Sequence, residues 1–267
     1  MRSEDLRRLR EPTAELWERH AAWWQREFTE GADVEYVEQI LPLAAEHLAA
    51  AERVLDLGCG EGQIARLAAG GVAGRPGPER PGRRPRAGSI VVGVDPAAAQ
   101  LAEAVRRGGA VAYARAVGGA LPFPPATFDA VVVCLVLEHV VDLDATLDEI
   151  ARVVAPGGRL LLFLNHPLFQ TPGSGWIDDQ VLDPPEQYWR IGPYLTEDVS
   201  MEEVEAGVRL PFVHRPLSRY VNGLVDRGLL VTHMDEPAPP PGFVARAPEY
   251  AGAATIPRLL LLRAEKR

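Results

Sequence analysis

Residues 52–69 read ERVLDLGCGEGQIARLAA, and this stretch decides the fold. Val54, Leu55 and Leu57 form a short apolar run, which predicts a buried strand. A glycine-rich turn follows, and such a turn lets the backbone approach a ligand closely. The residues from Gln63 onward predict a helix whose first N–H groups face that turn. The stretch therefore predicts a strand, a ligand-binding turn and a helix within an α/β sheet.

The rest of the chain alternates apolar runs with helical patterns. The runs are continuously apolar, which is typical of parallel strands covered on both faces. Two final runs are separated by a Pro-rich loop without a helix, which predicts an antiparallel last strand. We therefore expect an α/β fold with a Rossmann-like, mostly parallel seven-stranded sheet and helices on both faces. After the first strand, the predicted strands lie within residues 89–95, 110–117, 128–140, 159–165, 229–237 and 256–267.

Two stretches interrupt this alternation. Residues 71–89 contain five Arg, four Pro and five Gly, a composition that cannot build a core and predicts a disordered loop. Residues 165–213 form a long insertion after the fifth strand, and its aromatic residues predict an ordered lid. The predicted organisation is an N-terminal helical cap over residues 1–50 and a main domain over residues 51–267, which carries both insertions.

Charge and composition narrow the classes of function. The chain has 267 residues and a formal net charge of −9, which makes a nucleic-acid partner unlikely on electrostatic grounds. Its two cysteines are too few for a disulfide framework, so a cytoplasmic location is expected. The longest apolar run, residues 130–137, is too short to span a bilayer, so no membrane partner is expected. No His, Cys or Asp cluster has metal-ligand spacing, so no metal is predicted.

A carboxylate after the second strand sharpens the interpretation of the turn. The glycine spacing is GxGxG, with Gln63 where a dinucleotide fingerprint has its third glycine. Asp95 follows Gly58 by 37 residues, of which 19 belong to the insertion 71–89. The remaining interval is close to the roughly 20 residues that separate such a turn from a ribose-binding acid. Asp95 is therefore a candidate to accept the hydroxyl protons of a ribose.

Several motifs then occur in one order: DLGCGEG, VVGVDP, LPFPPATFD, CLVLEHV and VVAPGGRLLLF. Together they resemble the class I S-adenosylmethionine-dependent methyltransferases, and within them the type 11-like, small-molecule subgroup. The resemblance is continuous over about residues 50–165. It implies S-adenosylmethionine as the cofactor and methyl transfer by in-line displacement.

The resemblance also implies which residues bind the cofactor. One departure is Val117, because many members of the family have an adenine-contacting aspartate there. Cys59 is expected to be a small buried side chain of the loop rather than a nucleophile. The implied set is Asp56, Gly58, Cys59 and Gly60 under the methionine portion, Asp95 at the ribose, Pro96 near the adenine, Leu121 after the adenine wall, and Cys134 and Leu135 beside the transferred methyl.

The acceptor is less defined. Oxygen or nitrogen of a small molecule is the expected target, with carbon as a further candidate. RNA methylation through residues 71–89 and a non-catalytic cofactor-binding protein remain alternatives, and a homodimer is a further hypothesis. Each acceptor-side residue also has a purely structural interpretation. The candidate bases are His139, His166 and His214, and the candidate substrate contacts are Trp24, Trp176, Tyr188 and Arg215.

Overall fold

The computed structural model is organised around one mixed sheet of seven strands. The structure describes residues 13–70, 89–184, 186–246, 252 and 254–267. Residues 71–88 of the predicted loop and residues 1–12 of the predicted cap lie outside the described residues.

The strand order in the sheet is β10-β11-β5-β4-β1-β2-β3. The strands β5, β4, β1, β2 and β3 run parallel, whereas β11 is antiparallel to both β5 and β10. The predicted mostly parallel sheet with an antiparallel last strand is confirmed. The strands are β1 Arg53–Leu57, β2 Ile90–Asp95, β3 Ala112–Arg115, β4 Phe128–Cys134, β5 Val154–Asn165, β10 Leu229–Asp235 and β11 Leu259–Lys266.

Helices cover both faces of this sheet. On one face α5 and α6 pack against β1, β4 and β5, and on the other a π-helical segment, α2 and α3 do so. Burying each Leu or Val side chain of this core stabilises the fold by about 1.5–3 kcal/mol relative to leaving it exposed. The helical elements are α1 Thr13–Phe28, the π-helical segment Tyr36–Ile40, α2 Leu41–His47, α3 Gln63–Ala68, α4 Ala98–Arg107, a 3-10 turn Leu137–His139, α5 Leu143–Val153, α6 Leu217–Val225 and α7 Pro241–Arg246.

The long insertion after β5 folds into two β-hairpins. The first pairs β6 Gly175–Asp179 with β7 Glu186–Arg190, and the second pairs β8 Asp198–Glu205 with β9 Val208–His214. Apolar residues of β9 pack against Leu16 and Trp23 of α1. Helix α1 and the second hairpin thus meet above the edge of the sheet where the parallel strands end.

Candidate active site

A cavity of about 440 Å³ lies at the carboxyl ends of β1, β2 and β4. Ligands of open α/β sheets bind at this edge because the turns after the strands meet there. We call it the larger cavity. Its lining includes eight of the nine residues predicted to bind the cofactor, namely Asp56, Gly58, Cys59, Gly60, Asp95, Pro96, Cys134 and Leu135.

The glycine-rich turn after β1 is held in place by its own geometry. Gly58 has φ +74°, and a Cβ there would overlap the side chain of Val136. Gly60 has φ +53°, and its N–H donates to Asp95 Oδ2 at 2.9 Å. Such φ values favour glycine because a Cβ is crowded in the left-handed region. The turn is therefore tied to the end of β2.

Two buried carboxyls lie beside this turn, and neither has an ion-pair partner within the described residues. Asp56 Oδ2 accepts the N–H of Ala65 at 2.9 Å, and Asp95 Oδ1 accepts the N–H of Ala97 at 2.8 Å. Burial raises the pKa of Asp56 to about 7 and that of Asp95 to about 6 because it disfavours the charged form. Both ionised forms gain from a ligand that supplies hydrogen-bond donors or positive charge.

A network of ion pairs anchors the glycine-rich turn through Glu61, the residue that follows Gly60. Glu61 Oε2 lies 2.5 Å from Arg66 Nη2 and 3.0 Å from Arg107 Nη1, and Glu103 Oε1 lies 2.7 Å from Arg107 Nε. Breaking a buried pair costs about 3–5 kcal/mol because one charge stays uncompensated. The sequence does not predict this network, because Arg107 is the last residue of α4 and lies in none of the quoted motifs.

A second cavity of about 230 Å³, the smaller cavity, adjoins the first. The two share four lining residues: Trp17, Trp24, Leu135 and His139. Leu135 has φ +53°, a strained conformation for a leucine, and follows directly on β4. Helix α1, the π-helical segment and the hairpin β8–β9 supply much of the remaining wall.

His139 is oriented at this junction as a proton acceptor. Its Nδ1 lies 2.7 Å from the carbonyl oxygen of Pro211. A carbonyl only accepts, so Nδ1 carries the hydrogen and Nε2 keeps its lone pair. Nε2 has no hydrogen bond to any described residue. The rings of Trp17 and Phe212 pack edge-on against the imidazole at centroid distances of 5.1 and 5.9 Å.

The other two candidate bases lie outside both cavities. His166 Nδ1 accepts the N–H of Leu168 at 3.1 Å, so Nε2 donates to Glu236 at 2.8 Å, and both ring nitrogens are occupied. His214 is buried and its Nε2 donates to the carbonyl of Tyr194 at 2.8 Å. Burial lowers the pKa of His214.

Arg215, a candidate substrate contact, lines neither cavity. It is buried and donates to the carbonyls of Leu137, Val140 and Val141 at 2.7–3.0 Å. Its guanidinium therefore fixes the turn that carries His139.

The first hairpin places its aromatic residues away from both cavities. Trp176 packs edge-on against Trp189 at 5.6 Å, and Tyr188 is exposed. Leu121 is buried in the core beside α5 rather than in the cavity wall. Val117 does line the larger cavity, so no carboxylate stands at that position.

One group of three side chains within the described part of the chain has spacing suited to a metal ion. It consists of His47, His233 and Asp235, whose ligand atoms lie within 4.8 Å of one another. None of the three lines either cavity.

With this geometry in view, comparison with known proteins gives the family. Residues 55–162 match the family described as "Methyltransferase domain". These residues form a methyltransferase domain. They span β1 to β5 and hold the glycine-rich turn, Asp95 and His139.

Relatives and solved structures agree with the methyltransferase domain. The demethylmenaquinone methyltransferase of Thermus thermophilus is 35% identical over 136 residues, which cover 49% of this chain and 54% of that protein. A 2-phytyl-1,4-naphtoquinone methyltransferase of Thermosynechococcus vestitus is 38% identical over 117 residues, covering 42% and 46%. The chain thus spans about half the length of these curated relatives.

A S-adenosylmethionine-dependent methyltransferase from Mesorhizobium loti superposes with a TM-score of 0.66 at 27% identity. The match covers 85% of this chain and all of that one. For this domain, the predicted resemblance to the class I S-adenosylmethionine-dependent methyltransferases and the predicted cofactor are confirmed. In the described part of the chain, no helix combines the length and apolarity needed to cross a membrane.

The residues of the larger cavity fit S-adenosylmethionine. Each carboxylate oxygen of Asp95 accepts one backbone N–H and has a further lone pair, so both can still accept a ribose hydroxyl. Asp56 and Asp95 bring negative charge that no described cation pairs with, which suits a ligand with a sulfonium and an ammonium group.

Proposed function

We propose that this chain transfers the methyl group of S-adenosylmethionine to a small molecule bound in the smaller cavity. The observation that carries the proposal is the shared wall. His139, Trp17, Trp24 and Leu135 line both cavities, so a donor in one and an acceptor in the other meet at a base. Helix α1 and the hairpin β8–β9 act as the cap that closes the acceptor side.

The cofactor supplies an electrophilic methyl whose bond to sulfur breaks as the acceptor's lone pair or carbanion forms the new bond. The chain's own residues align the reactants and exclude water. Asp95 would hold the ribose hydroxyls, and the turn at Gly58 and Gly60 would let the backbone approach the methionine portion. The indole rings of Trp17 and Trp24 wall the junction and keep it dry.

His139 removes a proton from the acceptor. Nε2 is the free acceptor atom because Nδ1–H is held by Pro211. Loss of that proton makes a hydroxyl a stronger nucleophile and gives a protonated amine back its lone pair. We therefore assign the base to His139, and we assign structural roles to His166 and His214.

The acceptor specificity is determined by segments of this chain that lie outside the matched domain. The curated relatives are named for quinone substrates, and the planar aromatic walls of the smaller cavity also suit a ring. However, helix α1, the π-helical segment and the second hairpin lie outside residues 55–162. The family match therefore covers the cofactor side more fully than the acceptor side.

The test is a defined acceptor panel. The full chain is incubated with S-adenosylmethionine and, separately, 1,4-naphthohydroquinone, catechol or 2-phenylethylamine, and S-adenosylhomocysteine is measured by mass spectrometry. We expect turnover above the acceptor-free rate with at least one acceptor. His139→Gln should lower that rate about 100-fold, the usual scale of general-base catalysis. No acceptor-dependent product, or an unaffected His139→Gln rate, would contradict the proposal.

A further inference from the structure

Glu202 is an acid on the acceptor side that the sequence analysis did not single out. It lies on β8 opposite Leu210 of β9, and both residues line the smaller cavity. Val204 and Phe212, each two residues further along its strand, line it as well, as expected from the alternation of side chains in a strand. Glu203 lies on the other face and is exposed.

The carboxylate of Glu202 has no hydrogen bond or ion pair with any described residue. Burial raises its pKa, and the nearby His139 lowers it. A half-buried carboxylate without a partner is costly in a folded protein unless a ligand supplies one. Its place in the cavity wall puts that ligand in the smaller cavity.

The other charges around this cavity leave it acidic. Glu35 is paired with Arg258, whose Nε lies 3.0 Å from Glu35 Oε1. The guanidinium of Arg258 is also stacked over Phe169, at 4.6 Å from the ring centroid. Asp33 lines the same cavity, and burial raises its pKa too. Arg258, the cation among the described lining residues, is therefore engaged. Asp33 Oδ1 accepts the backbone N–H of Glu35 at 2.7 Å, and Arg258 lowers the pKa of Asp33, so Glu202 is the carboxylate of the described lining that is left without a partner.

Aromatic rings complete the wall. Trp17, Trp23, Trp24, Phe28 and Phe212 all line the smaller cavity. Ring faces attract organic cations, and the attraction is strongest for Trp. An aromatic wall combined with the unpaired carboxylate of Glu202 is complementary to a cation with an apolar body, and it disfavours an anion.

We propose that the acceptor is an apolar, ring-bearing primary or secondary amine whose protonated nitrogen is bound by Glu202. This inference rests on the function proposed above and names its substrate class. The ammonium N–H donates to Glu202 as the amine enters. The proton then passes to Nε2 of His139, which becomes an imidazolium near Glu202, and the neutral nitrogen keeps the lone pair for methylation.

The test compares three probes of the same shape on the full chain with saturating S-adenosylhomocysteine. They are 2-phenylethylamine, 2-phenylethanol and 3-phenylpropionate. Quenching of tryptophan fluorescence is the readout, because Trp17, Trp23 and Trp24 line the cavity. Glu202→Gln is the test variant, and Glu203→Gln is the matched control on the opposite face of β8.

The amine should bind about tenfold more tightly than the alcohol, the effect of one charge-assisted hydrogen bond, and the acid should bind most weakly. Glu202→Gln should abolish the preference, whereas Glu203→Gln should keep it. Equal binding of amine and alcohol, or a preference that survives in Glu202→Gln, would overturn the inference. Titration with S-adenosylhomocysteine distinguishes failure of the proposed function from failure of the amine assignment. If S-adenosylhomocysteine does not bind, the proposed function is refuted. If it binds and the amine preference is absent, only the amine assignment is refuted.

Discussion

Replacing Asp95 by alanine tests the cofactor side of the site. The carboxylate already accepts the N–H groups of Gly60 and Ala97, keeps a further lone pair on each oxygen, and lines the larger cavity. Two ribose hydroxyls would use one lone pair on each oxygen. A hydrogen bond to a charged group contributes about 1.5–3 kcal/mol. At the lower value, two such bonds give about 3 kcal/mol, which is about 100-fold in Kd.

The assay is calorimetric titration with S-adenosylhomocysteine at pH 7.5. Asp148→Ala is the control, since Asp148 is an exposed acid that pairs with Arg227 on the surface. Thermal unfolding of each variant shows whether the fold is kept. We expect the Kd to rise about 100-fold for Asp95→Ala and to stay unchanged for the control. A folded Asp95→Ala variant with a Kd within about threefold of the native value would refute the reasoning.

Three further predictions follow from the geometry. Because burial raises the pKa of Asp95 to about 6, S-adenosylhomocysteine, which needs the ionised form, should bind about tenfold more weakly at pH 5 than at pH 7; a calorimetric Kd that is flat over this range would argue against it. Gly58→Ala should lower the free energy of unfolding by about 2 kcal/mol or more. Gly207→Ala, at φ +81° in open space, should lower it less, and equal losses in urea titrations would show that the Val136 overlap is not felt. Arg215→Ala should destabilise the chain by about 3 kcal/mol, because three carbonyls lose their donor; a melting temperature equal to the native one would exclude this role.

The sequence predicts the sheet, and eight of its nine cofactor candidates lie at the larger cavity, because these signals are local. Strand β1, the glycine-rich turn and Asp95 sit in short patterns whose geometry is imposed by neighbouring residues. A glycine at φ +74° and an acid at the end of a strand leave signals within a few positions. Parallel strand order then brings their ends to one edge.

The acceptor side is not predicted to the same extent, because long-range packing forms it. The smaller cavity forms where α1 packs against β9. These two elements are more than 150 residues apart in the sequence. Glu202 lies in an acidic strand, and the sequence alone does not distinguish it from Glu203. The sequence makes His166 a candidate base and Arg215 a candidate substrate contact, yet their partners are Glu236 and the carbonyls of the turn that carries His139.

The most direct test of the central claim is a crystal structure of the chain with S-adenosylhomocysteine. We predict that the ribose hydroxyls bind Asp95 and that the sulfur faces the junction lined by His139, Trp17 and Trp24. Binding at another place, or in the larger cavity with the sulfur turned away from His139, would contradict it.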